Sequence, residues 1–262
     1  MAAKVYAIAS GKGGTGKTTI TVNLGTALAM CPDYSEKKVV IIDADIGMAN
    51  LGFILGLEKS PTTLHEVLAG KADVEDAMYK GIGGVTVIPS GISLQGFQNS
   101  KPEKLKEVID TLRETADIIL IDTPSGISKE SMVPLTIAAE ILLVVNPELT
   151  SIVDALKTKV LAEGFGVEVG GVIINRADEG RNELSSKKVG ELLGTRVLQV
   201  IPEDMKIKKA ALFRTPVVVA TPNSPAAKGF KRLAITLLEE NYGKLEKKGF
   251  VERLKDLFRF KS

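Results

Sequence analysis

The sequence predicts an α/β fold: a doubly wound, mostly parallel sheet with helices on both faces. Three observations predict it. Short β-branched runs are apolar throughout rather than alternating, as strands covered on both sides require. Segments of helical period separate these runs, which implies right-handed crossovers. The first run also leads into a glycine-rich turn that opens the first helix. Expected strands are residues 5–9, 39–42, 85–88, 118–121, 141–145, 171–174, 197–201 and 217–219. Expected helices are residues 17–30, 102–115, 151–164, 183–193 and 226–241, with Pro102 suited to a first helical turn and Gly164 to a helix end.

A chain of 262 residues can bury one generous core, and 44% apolar with 25% charged residues is the balance of a soluble globular protein. No run approaches the roughly 20 apolar residues of a spanning helix. The start of the chain shows no charged-then-apolar leader with a cleavage site, so the expectation is a cytoplasmic protein. Cys31 is the one cysteine and His65 the one histidine, which excludes an intrachain disulfide and a Cys/His metal centre. Cys31 reads as a small apolar residue near a helix end, and His65 as a helix-surface or packing residue. Residues 228–262 hold ten Lys/Arg and five Asp/Glu, a net +5, so residues 1–227 carry −3 of the overall +2. That asymmetry points to an anionic partner for the tail.

The run Gly11-Lys12-Gly13-Gly14-Thr15-Gly16-Lys17-Thr18-Thr19 follows a strand and opens a helix. Glycines let successive backbone N–H groups turn inward onto phosphate oxygens at a helix N-terminus. Lys17 would pair with the outer phosphates and the Thr18 hydroxyl would ligate Mg²⁺, the pattern of a P-loop NTPase. Lys12 is not needed to cradle phosphate. It reads either as a solvated lysine or as a charge that neutralises phosphoryl transfer.

Two acidic strand ends complete the constellation. In Val39-Val40-Ile41-Ile42-Asp43-Ala44-Asp45, Asp45 would position or deprotonate the attacking water and Asp43 would hold Mg²⁺ through water. In Ile118-Ile119-Leu120-Ile121-Asp122-Thr123-Pro124-Ser125-Gly126, Asp122 would meet the Mg²⁺ shell and the Gly126 N–H the γ-phosphate. The plain alternative for all three carboxylates is strand-end capping. Asp45 and Asp122, with Lys12 and Lys17, form the expected catalytic set; Thr18, Asp43, Asp45 and Asp122 form the expected metal set.

The run from Lys12 to Thr19 resembles the deviant Walker A box of the MinD/ParA family of ATPases, and the likeness extends over nearly the whole chain. It implies ATP and Mg²⁺ as ligands and an ATP-sandwiched homodimer in which the first lysine reaches the partner subunit's nucleotide. Ile46-Gly47-Met48-Ala49-Asn50-Leu51 resembles the family's first switch, with Asn50 facing the dimer, and the segment after Asp122 its second. Asn146-Pro147-Glu148 implies that Glu148 faces the partner's loop, and the helix after it corresponds to a surface that a regulatory protein engages. Asn175-Arg176-Ala177-Asp178 has the look of a guanine-reading box, whereas Val200-Ile201-Pro202-Glu203-Asp204 resembles the family's adenine-side loop. ATP is the favoured nucleotide, with Asn175, Arg176, Pro202, Glu203 and Asp204 on the base side.

The tail, residues 244–262, reads as a unit apart from the ATPase domain of residues 1–243. Phe250, Val251, Leu254, Leu257 and Phe258 fall on one helical stripe with basic residues mostly off it, the pattern of an interfacial membrane helix. It resembles the membrane-targeting helix of the family's MinD branch. The resemblance thus implies a protein peripheral on the inner face of the cell membrane, acting in division-site placement. Packing of the tail on its own body is the other reading. A partition ATPase that binds DNA nonspecifically is the alternative function, and it would show steep salt dependence and indifference to the tail. An iron–sulfur scaffold would need cysteines that this chain lacks.

Overall fold

The computed structural model describes residues 3–126, 129–178 and 183–243, with only the backbone of Lys129 and Glu130. Eight strands form one sheet in the order β3-β4-β2-β5-β1-β6-β7-β8. They are β1 (Lys4–Ala9), β2 (Val39–Asp43), β3 (Tyr79–Lys80), β4 (Thr86–Ile88), β5 (Ile118–Asp122), β6 (Glu140–Val145), β7 (Glu168–Ala177) and β8 (Val197–Pro202). All pairings are parallel except β3 with β4, a two-residue edge pairing. Every residue of β2 and β5 is buried, which explains their unbroken apolar runs.

Helices cover both faces. Alternate strand residues feed two cores: Val5, Ala7 and Ala9 point to one, Tyr6 and Ile8 to the other. The first core packs α3 (Leu64–Leu68), α5 (Leu105–Leu112), α6 (Lys129–Ile137), α7 (Leu149–Gly164) and α8 (Ser186–Leu193). The second packs α1 (Lys17–Ala29), α9 (Met205–Leu212), α10 (Val217–Ala220) and α11 (Pro225–Tyr242). The short helices α2 (Leu51–Leu55) and α4 (Leu94–Asn99) follow β2 and β4. Cys31 is buried at the end of α1, in keeping with its packing assignment.

Several expected elements differ. Residues 217–219, expected as a strand, form α10. Pro216 stands at its N-cap, and Val217 and Val218 are buried against the second core, so tertiary burial overrides β-branched preference. Residues 102–104 form a 3₁₀ turn before α5. The helix expected from residue 183 begins at Ser186, where the Ser185 hydroxyl caps the Lys188 N–H. β7 runs on to Ala177, so Asn175 and Arg176 lie within a strand rather than after it.

This topology positions the site. Chain order reverses at β1, which lies between β5 and β6, and in such sheets ligands bind beyond the carboxyl ends of the strands at that point. The register aligns Ile8 with Asp122 and Asp122 with Asp43. The glycine-rich loop, both acidic strand ends, and the loops after β6 and β8 therefore share one edge of the sheet.

Candidate nucleotide site

The loop between β1 and α1 is braced from three sides. Gly11 lies directly on the backbone of α7 at Asp154 and Ala155. Asn175, on β7, donates from Nδ2 to the Thr15 carbonyl at 2.7 Å. The buried Lys17 donates from Nζ to Ser10 Oγ at 3.0 Å, while the Ser10 hydroxyl donates to the Lys12 carbonyl at 2.7 Å. Gly14 and Gly16 adopt φ of 78° and 98°, conformations natural to glycine, and carry the chain into the first turn of α1.

Charge is concentrated beneath the loop. Burial lowers the Lys17 ammonium pKa, and the Asp122 and Asp45 carboxylates oppose that shift. Asp122 is buried; burial pushes its carboxyl up to about 7, against hydrogen bonds from Thr18 and Thr21 and the charge of Lys17. The Thr21 hydroxyl donates to Asp122 Oδ1 at 3.3 Å. Asp43 is held well above the ordinary carboxylate range by burial and by Asp122. Its two oxygens already accept backbone N–H groups, Asp45 at 3.2 Å and Leu51 at 3.1 Å. Asp43 thus pins both ends of the first switch, an occupation that the expected role as a water-mediated metal ligand did not include. Asp45 is half-buried, its pKa raised by burial, and it accepts the Met48 N–H at 3.1 Å.

Lys12 leaves the loop in another direction. Its Nζ lies 3.3 Å from Glu148 Oε2 and 3.4 Å from the Thr150 hydroxyl, at the start of α7 in the same chain. Asn50, expected to face a partner, is exposed and donates to the Met48 carbonyl at 2.8 Å. Gly126 has a φ of 81° and open space on its Cβ side. Near the expected base side, Arg176 also has a positive φ (57°) and approaches Glu203, which pairs with Lys208 at 3.5 Å as well. The Asp204 carboxylate caps α9 through the Lys206 N–H and meets the Ala226 N–H of α11.

His65 is buried, so its packing reading holds and its surface reading does not. Its Nε2 lies 3.1 Å from the Ile46 carbonyl, which ties α3 to the first switch. The tail residues Phe250, Val251, Leu254, Leu257 and Phe258 lie outside the described residues. Among the described residues no helix is long and apolar enough to cross a membrane.

The residues present fit a magnesium nucleotide. Thr15 Oγ1 and Asn175 Oδ1 are buried without a protein partner, a costly state that a ligand can relieve. Among the described residues no protein atom lies within 4 Å of the Cβ side of Gly14 or Gly126. Among the described residues no three carboxylate, imidazole or thiolate groups are grouped to hold a metal alone. Mg²⁺ takes one or two protein oxygens and completes its shell with phosphate and water. Thr18 and Asp122, already in contact, are the residues that would hold it.

Ser10, Thr21 and Thr150 were not foreseen. Thr21 had a signal: it lies one helical turn after Thr18 and so on the same face of α1. Ser10 and Thr150 had none, because their roles depend on how Lys17 and Lys12 turn.

Comparison with known proteins agrees with this geometry. Residues 6–217 match the model of the CobQ/CobB/MinD/ParA nucleotide binding domain. An ATP-binding protein of Methanocaldococcus jannaschii is 46% identical over 256 residues, covering 96% of each chain. The septum site-determining protein MinD of Pyrococcus horikoshii, solved with Mg-ADP, is 34% identical with a TM-score of 0.87, over 94% of this chain and 100% of that one. MinD of Aquifex aeolicus, in a MinC:MinD cell division complex, is 33% identical with a TM-score of 0.80, again over 94% and 100%. The protein is an ATPase of the MinD/ParA family, with ATP and Mg²⁺ as its ligands.

Proposed function

We propose that this ATPase is a MinD-type switch: it dimerises on ATP, binds an anionic membrane surface, and positions the cell-division site. The observation that carries the reading is Lys12. A phosphate loop needs one lysine, and Lys17 already fills that place, buried over Asp122. Lys12 instead rests on Glu148 and Thr150 in a half-exposed pair. Such a pair contributes no more than about 1 kcal/mol, so a γ-phosphate arriving with a second subunit can recruit the lysine at little cost.

The chemistry divides among the residues accordingly. Mg²⁺, when bound, supplies charge neutralisation at the phosphates. Lys17 and the loop N–H groups hold the phosphates, Asp45 orients the attacking water, and Lys12 of the second subunit offsets charge as the terminal phosphoryl group leaves. Asp43 ties the first switch to the β2 strand end, so loss of the γ-phosphate is felt at Asn50 and the dimer face. The outer face of α7 supports a regulatory partner. Leu149, Val153, Leu156 and Val160 recur at helical spacing, and all are exposed. The Aquifex relative was solved with such a protein, MinC.

Co-sedimentation of the full chain with anionic vesicles tests the reading, with ATP, ADP and no nucleotide in parallel. Binding with ATP alone, lost in a Leu254→Asp/Phe258→Asp variant, is the expected result. Binding that is equal in all three nucleotide states would overturn the switch.

A further inference from the structure

Between Met205 and Leu238 the chain carries seven basic residues and no acidic one, against a net charge of +2 for all 262 residues. Lys206, Lys208, Lys209 and Arg214 belong to α9 and the turn after it. Lys228, Lys231 and Arg232 belong to α11. One carboxylate joins the two groups: Asp204 accepts the Lys206 N–H at 2.9 Å and the Ala226 N–H at 3.3 Å, so the first turns of both helices meet there. Both helices bury their inner sides, Ala210 and Phe230 among them, in the same core. Both helices therefore lie on the same face of the sheet, with α10 packed against each of them.

Part of this charge is already paired, Lys208 with Glu203 and Arg214 with Glu58. Lys206, Lys209, Lys228 and Arg232 are exposed and make no salt bridge to a described residue. The same two helices and the turn after α9 also expose apolar side chains. Leu212 is 83% exposed, more than any other large apolar residue described, with Phe213 at 71% and Met205 at 68%. Ile235 is exposed on α11, one turn beyond Arg232.

Cations interleaved with outward-facing leucine, phenylalanine and methionine fit an anionic lipid surface on both counts. The ammonium groups meet headgroup phosphates, and the apolar side chains enter the acyl boundary. Nucleic acid would satisfy the cations and leave Leu212 and Met205 in water. We propose that the outer face of α9 and α11 docks on an anionic lipid leaflet, a contact made by the folded body in addition to residues 244–262. It deepens the membrane reading above and can fail separately from it.

The test uses the full chain with Mg-ATP, phosphatidylglycerol/phosphatidylcholine vesicles, pure phosphatidylcholine vesicles and, in parallel, a DNA duplex. Each surface cation changes partitioning about fivefold. A Lys209→Gln/Lys228→Gln/Arg232→Gln variant should therefore partition about a hundredfold less well onto the anionic vesicles. Leu212→Ser/Phe213→Ser should lose at least about tenfold with the salt dependence unchanged. Thermal unfolding and turnover without vesicles should stay at wild-type values in both, which establishes that they fold. Wild-type partitioning in both variants, with binding abolished by Leu254→Asp/Phe258→Asp, would overturn the proposal and leave the membrane reading standing. Loss of duplex binding with vesicle binding intact would assign the face to nucleic acid. Failure of the wild-type chain to bind any vesicle would overturn both readings.

Discussion

Replacing Gly11 by alanine separates a steric requirement of the phosphate loop from a conformational one. A methyl group there would overlap the Asp154 carbonyl and stand 2.6 Å from the Ala155 nitrogen. Both are α7 backbone, which cannot rotate aside as a side chain can. Gly14 is the control. Its φ is 78°, and a methyl would meet nothing within 4 Å, so Gly14→Ala incurs only the left-handed penalty, about 1–2 kcal/mol. Overpacking costs about 1–3 kcal/mol, with the upper end expected where the neighbour cannot yield. Gly11→Ala should therefore cost about 3 kcal/mol, a fall in Tm of about 6–12 °C for a chain of this size, and Gly14→Ala roughly half that. Circular dichroism melts of the nucleotide-free proteins measure the difference. ATP affinity should also fall further in Gly11→Ala, because relief comes by lifting the loop off α7. Equal melting losses in the two variants would refute the argument.

Other consequences follow from the charges beneath the loop. Burial raises the folded pKa of Asp122 to about 7, above its unfolded value of about 4. The stability it contributes is full below about pH 4 and is lost as pH rises through 7. Asp122→Asn should therefore raise the Tm of the nucleotide-free protein at pH 8 and leave it nearly unchanged near pH 4, while abolishing Mg²⁺-dependent nucleotide binding; melts across that pH range check the sign. Asn175→Ala removes the brace on Thr15 and should cost about 1–3 kcal/mol by denaturant unfolding, with weaker ATP binding by titration calorimetry. Turnover per subunit should rise with protein concentration in the wild type and stay flat and low in Lys12→Ala, whose ATP affinity should be nearly normal.

The fold was legible wherever local pattern and burial agree. The apolar runs ending in Asp43 and Asp122 marked central strands, and the glycine spacing located the loop and α1. Strand order was not legible, because β5 inserts between β1 and β2 through contacts far apart in sequence. The three valines of α10 misled because their environment, not their branching, decides their state. Within the site, residue identity indicated chemistry but not direction. Asn175, expected at the base, also braces Thr15 through its Nδ2, and Lys12, expected to reach a partner subunit's nucleotide, rests on α7 of its own chain here. Such details depend on which neighbour a side chain finds, which spacing along the chain does not encode.

Nucleotide-gated dimerisation is read from the mass of the protein in solution, by sedimentation at micromolar concentration with Mg-ATP and with Mg-ADP. The wild type should be a dimer with Mg-ATP and a monomer with Mg-ADP, and Lys12→Ala a monomer with either nucleotide. One mass in both nucleotides, or a Lys12→Ala dimer that forms and hydrolyses ATP like the wild type, would contradict this gating.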